Sequence, residues 1–230
     1  MLVRSGPRGY RAEMLLFTRA VTALQDAVDA LADEDWERPS GCTGWLVRDL
    51  VCHLTIGAQD VLITLVTPED AEPTVDAVAY WRAGDADEHP DPHGRLVARL
   101  AAAYGPPGAL RHHVDDLLAA AGRAAELADP EARVGTQGET LTVRDLLDAY
   151  VLEWTVHHLD LVAHLPAAAG PPAATLAASR TMVEALLGAP VPPSLADPDA
   201  LRVVTGRRAP TAAERAALGP VAARLPMSLG

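Results

Sequence analysis

Two stretches decide the fold: Gly44-Trp45-Leu46-Val47-Arg48-Asp49-Leu50-Val51-Cys52-His53-Leu54 and Val151-Leu152-Glu153-Trp154-Thr155-Val156-His157-His158-Leu159-Asp160. Both read as helix. In the first, Val47, Leu50, Val51 and Leu54 recur at the spacing of one helix face, and Val61, Leu62 and Leu65 carry that face on to Val66. In the second, Glu153 and His157 stand four residues apart, so their Cβ atoms lie roughly 5–6 Å from each other on one face. Tyr150 and Leu161 share that face, which turns it inward, and an inward carboxylate needs a partner. With His53 from the first helix, the pair supplies one carboxylate and two imidazoles, a three-ligand set that leaves a catalytic metal an open position. Bundle cores hold metals through inward Glu and His in this manner. Asp160, one turn past His157, is placed to orient an imidazole, whereas His158 points about 100° away. His112, His113 and His164 read as surface or packing residues.

Working outward, helical spacing extends over 10–31, 46–66, 94–104, 109–127, 142–165, 173–187 and 211–218. Thr142 and Asp145 form a capping pattern at one helix start, and Pro, Gly and Ser break the chain between helices. The acidic stretch 67–92 is irregular, and its Tyr80-Trp81 pair would cover the candidate site from a long connection. The segment 130–138 reads as loop, 190–198 as a proline-rich tail, and 201–205 as β-prone. Val47-Arg48-Asp49-Leu50 recurs as Val143-Arg144-Asp145-Leu146, so the two helices that carry candidate ligands begin alike. The expected fold is mainly α, a four-helix bundle over 1–168 with a short helical and extended appendage over 169–230.

Composition narrows the function. The net charge of −12 argues against a nucleic-acid backbone or an anionic lipid surface as partner. Apolar runs fall short of the ~20 residues that span a bilayer, and the first residues lack the apolar core of a secretory signal. A soluble cytoplasmic protein is expected. All nineteen basic residues are Arg, so no lysine Schiff base is available. Anions must be held by Arg, backbone amides or a metal. The depletion of Lys, Asn and Ile together points to a GC-rich genome. Cys42 and Cys52 make neither a CxxC motif nor a disulfide framework and are expected to be free, structural thiols.

Trp36-Glu37-Arg38-Pro39-Ser40, Cys42, Gly44 to Leu50 and His53 resemble the opening of the mycothiol-dependent maleylpyruvate isomerase family. Glu153 to Asp160 is similar to that family's second metal motif, and Val204-Thr205-Gly206-Arg207, Pro210-Thr211 and Leu218-Gly219 to its C-terminal part. The resemblance implies a DinB-like four-helix bundle and a divalent metal, usually zinc, on His53, Glu153 and His157. It implies mycothiol as co-substrate and an arginine, matched by Arg207, that reaches substrate carboxylates. Trp45, Tyr80 and Trp81 would line the thiol and substrate. Leu46 stands where the family often has Thr or Ser, so Thr43 or Gly44 is expected as the helix cap.

Three functions stand open from the sequence. The first is an S-transferase or cis–trans isomerase that uses a small thiol, mycothiol by resemblance, on a small electrophilic metabolite. The second is a thiol-independent metalloenzyme, a hydrolase or isomerase, that uses metal-bound water. The third is a non-catalytic metal-binding stress-response module. Monomer and homodimer both remain open.

Overall fold

The computed structural model describes residues 7–81 and 92–227, with side chains from 16 to 81 and from 94 to 227. Four long helices close a ring: α1 (Pro7–Asp29), α2 (Val47–Leu65), α5 (Pro107–Leu127) and α6 (Val143–Leu161). In that ring α1 packs on α5, α5 on α2, α2 on α6 and α6 on α1. Phe17, Leu24, Leu50, Leu54, Leu118, Leu146 and Trp154 fill its centre, each fully buried. With one Phe in the chain, Leu, Val and Ala provide most of the core, and each buried Leu or Val contributes about 1.5–3 kcal/mol. The mainly helical bundle expected from the two opening stretches is the fold observed.

Further short elements pack against the ring. α3 (Ala77–Tyr80) lies inside the stretch read as irregular, and it forms because Asp76 caps it, accepting from the amides of Val78 and Ala79 at 3.0 and 2.7 Å. α4 (Pro92–Ala103) packs on α2. Residues 82–91 of that stretch lie outside the described residues.

The segment 130–138, expected as loop, contributes a strand. β1 (Arg133–Thr136) pairs antiparallel with β2 (Glu139–Thr142). The turn residues Gln137 and Gly138 have φ of 51° and 83°, the left-handed pair that a two-residue hairpin turn requires. β2 runs directly into α6. The Thr142 hydroxyl accepts from Asp145 N–H at 3.1 Å, and Asp145 Oδ1 accepts from Ala77 N–H at 3.3 Å. The hairpin and cap thus anchor both α3 and the start of α6.

α6 is buried on nearly all sides. One side faces the ring, and the other faces α7 (Ala173–Leu187) and α8 (Asp197–Val204). There Leu152, Val156 and Leu159 join Val183, Leu187, Leu201 and Val204 in a second apolar cluster. α8 takes in 201–204 of the segment expected to be β-prone, and Thr205 is its C-cap. Asp197 and Asp199 in its first turn, with Pro198 between them, set a helix start that a short Val-Val propensity does not override. α9 (Ala212–Leu218) follows, with Thr211 and Glu214 forming a reciprocal capping box. Among the described residues, no helix is long and apolar enough to cross a membrane.

Candidate metal centre

The loop before α2 builds one wall of the site. Ser40 N–H donates to Trp45 O at 2.9 Å, and the Ser40 hydroxyl donates to the same carbonyl at 3.0 Å and accepts from Cys42 N–H at 3.2 Å. Gly41 N–H donates to Asp160 O at 2.8 Å, which seats the loop on the end of α6. A Cβ at Gly41 would lie 2.7 Å from the Cα of Asp160, so the approach requires glycine. The cap of α2 is Leu46, not Thr43 or Gly44. Leucine offers no acceptor. The Asp49 carboxylate takes the Leu46 N–H at 2.9 Å, the position in its helix that Asp145 occupies in α6.

From these starts α2 and α6 present His53, Glu153 and His157 to one another. Glu153 Oε1 stands 3.1 Å from His53 Nε2 and 3.1 Å from His157 Nε2. The two imidazole rings meet edge to face with centroids 4.8 Å apart. One donor atom from each residue lies within 4.8 Å of the others. Donors about 2.0–2.2 Å from a common tetrahedral centre lie about 3.3–3.6 Å apart, so this set fits a divalent ion with small adjustments. Burial pushes the Glu153 carboxyl up, but His157 and His53 outweigh it and hold the group well below the usual carboxylate range. Burial pushes His157 down, and Glu153 and Asp160 more than reverse that.

Behind His157 lies a second group. Its Nδ1 is 3.1 Å from Asp160 Oδ2. Cys42 donates its S–H to the same oxygen at 3.3 Å and stands 3.7 Å from Nδ1. Arg207 clasps Asp160 from the far side, Nε at 3.2 and 3.1 Å from the two oxygens and Nη2 at 3.1 Å from Oδ2. Burial raises the Asp160 carboxyl, yet His157 and Arg207 together leave it lowered. Cys42, His157 and Asp160 also qualify by distance as ligands. The guanidinium already balances the carboxylate, however, and a second cation beside it would be repelled. This group orients the imidazole, a task for which Asp160 is well placed.

The remaining expected residues are distributed around the trio. The Trp45 ring lies 5.3 Å from that of His53. Tyr80 and Trp81 meet edge to face at 5.5 Å. Burial raises the Tyr80 phenol, a hydrogen bond with Tyr150 opposes this, and the Glu153 charge adds to it. Trp81 packs on the second apolar cluster. His158 is a satisfied core residue, its Nε2 donating to Ala169 O at 2.9 Å. Cys42 is free, as expected, and its thiol stands beside Asp160 and His157, a placement that no local signal in the sequence marks.

Residues 17–162 match the model of the mycothiol maleylpyruvate isomerase N-terminal domain. The chain belongs to that family. Two solved structures share its fold. One is a mycothiol-dependent maleylpyruvate isomerase, with 16% identity and a TM-score of 0.54. The other is a histidine-to-alanine variant of an enzyme of the same name, with 17% identity and a TM-score of 0.52. Each alignment covers 77% of this chain and 69% of the other. Comparison with curated proteins finds no significant match. The match to the isomerase domain takes in all three residues of the trio and Asp160, and stops short of Arg207.

Proposed function

We propose that this chain is a metal-dependent enzyme that uses a small thiol, mycothiol by family, for S-transfer to or cis–trans isomerisation of a small electrophilic metabolite. We assign the bundle to residues 1–168, the appendage to 169–230 and the protein to the cytoplasm. The observation that carries the reading is the convergence of His53, Glu153 and His157 on one point, inside a domain of a thiol-dependent isomerase family.

His53, Glu153 and His157 would hold the divalent ion, zinc being the best match to two imidazoles and a carboxylate. Such an ion acidifies a coordinated thiol and so supplies a nucleophile at neutral pH. The chain's own residues do the rest. Asp160 accepts the Nδ1–H of His157 and thereby leaves Nε2 free to face the ion. Trp45, whose ring packs beside His53, would limit water on that side of the site. The Tyr80 hydroxyl, which accepts from Gln137 Nε2 at 3.4 Å, would be the donor to a developing oxyanion. Arg207 keeps N–H donors beyond those spent on Asp160, and these would take a substrate carboxylate.

Metal analysis of the purified protein tests the reading. About one equivalent of divalent metal is expected, and His53→Ala or Glu153→Gln should remove it. A protein that carries none after refolding with zinc refutes the reading. Turnover of activated alkenes and epoxides with and without mycothiol then separates thiol transfer from chemistry by metal-bound water.

A further inference from the structure

Arg207 is reached from α8 through Thr205 and Gly206, on the appendage rather than the bundle. The segment is fixed there. Met227 N–H donates to Val204 O at 2.9 Å, and Gly206 lies so close to Pro226 that a Cβ would meet its ring at 2.7 Å. Its guanidinium nevertheless makes its ion pair across the boundary, with Asp160 on α6, whose side chain is 2% exposed. Asp160 in turn holds the Nδ1 of His157. Two contacts, Arg207 to Asp160 and Asp160 to His157, therefore connect a backbone turn of the appendage to a candidate metal ligand.

We propose that Arg207 is a positioning residue of the metal centre: by clamping Asp160 it fixes the ring of His157, and it couples the docking of the appendage to metal affinity. The inference rests on the metal-centre reading above and deepens it. The physical basis is that a two-pronged guanidinium–carboxylate contact has one good geometry. The carboxylate it fixes has its remaining side-chain contacts to His157 and Cys42. Without Arg207, a buried carboxylate loses its counter-ion and must rearrange, and the imidazole it orients rearranges with it. Binding linkage then runs both ways: if the docked appendage tightens metal binding, metal tightens docking by the same factor.

Zinc titration of the apo-protein against a chromophoric chelator tests this without any substrate. Arg207→Met and Asp160→Asn should each weaken zinc binding about 10–100-fold, the usual cost of losing an outer partner of a ligating histidine. Arg207→Lys should fall between them and the parent chain. Arg208→Gln is the control, since Arg208 pairs with Asp199 and Glu214 inside the appendage and should leave zinc affinity unchanged. Zinc should also slow hydrogen exchange of the α8 amides in the parent chain and not in Arg207→Met. Unchanged zinc affinity in Arg207→Met, with KM alone raised, would make the arginine a substrate contact only and overturn the proposal. An equal loss in Arg208→Gln would reduce the effect to general loosening of the appendage and overturn it too. These outcomes leave the metal reading intact, because His53→Ala tests that separately.

Discussion

Gly41→Ala is the sharpest probe of how the loop before α2 is seated. An added Cβ would lie 2.6 Å from Asp160 Oδ1 and 2.7 Å from its Cα. Carbon contacts settle near ~3.5 Å, so the loop must retreat by roughly 0.8 Å. Backbone on one side and a clamped carboxylate on the other leave the alanine no flexible neighbour to displace. Overpacking of this kind costs about 1–3 kcal/mol. The retreat also stretches the Gly41 N–H bond to Asp160 O, worth about 1 kcal/mol. The sum, about 2–4 kcal/mol, corresponds to a Tm lower by roughly 5–15 °C in a chain of this size. Zinc affinity should fall as well, because the strained contact bears on Asp160. Gly44→Ala is the internal comparison. Its φ of +83° makes an L residue strained, but nothing lies within 4 Å of the new Cβ, so a smaller loss of about 1 kcal/mol and unchanged zinc affinity are expected. Thermal unfolding followed by circular dichroism reads the first effect and chelator competition the second. A Gly41→Ala protein melting within about 2 °C of the parent would refute the close-approach argument.

Three further outcomes follow from the geometry. Arg180 donates to the carbonyls of Val191, Pro192 and Leu195 at 2.6, 2.9 and 2.7 Å, so Arg180→Met should cost about 2–4 kcal/mol in urea unfolding, at about 1 kcal/mol per stranded carbonyl. Arg208 and the Thr211 amide hold the Glu214 carboxyl down to about 2, below its ordinary 4.5. The stability it adds is therefore complete above the ordinary value and lost as pH falls toward the depressed one. The difference in urea midpoint between the parent and Glu214→Gln should shrink over that window. Burial, helped by Asp49, pushes the Cys52 thiol up to about 11. At pH ~8 an alkylating reagent should then modify Cys42 in the native protein and reach Cys52 only after unfolding, and rapid native labelling of both thiols would contradict the packing.

Much of the helical fold was legible because its signals are local. α7 spans the 173–187 that helical spacing marked out, and Thr142 caps α6 as its T-x-x-D pattern implies. The His53, Glu153 and His157 trio could be read as a candidate set from a four-residue spacing and one motif, since each residue sits on a regular helix. The hairpin escaped because Gln137-Gly138 is a weaker turn signal than Asn-Gly, and because four-residue strands leave little alternation to count. α8 was misread for the opposite reason: its helix start lies in Asp197-Pro198-Asp199, outside the Val-Val pair that suggested a strand. Nothing local could have joined Cys42, Asp160 and Arg207. They are brought together by a glycine contact and an ion pair across more than forty residues, which only the folded chain displays.

The two-sided burial of α6 has a consequence for dissection of the protein. Leu152, Val156 and Leu159 are covered by α7, α8 and their neighbours, yet they belong to the helix that carries Glu153 and His157. A fragment cut near residue 168 would keep all three candidate ligands and expose an apolar stripe along the same helix. Such a fragment is expected to self-associate. The smallest piece expected to fold on its own is therefore larger than the piece that contains the candidate ligands. Exchange of appendages between relatives would have to match a buried seam as well as a binding site.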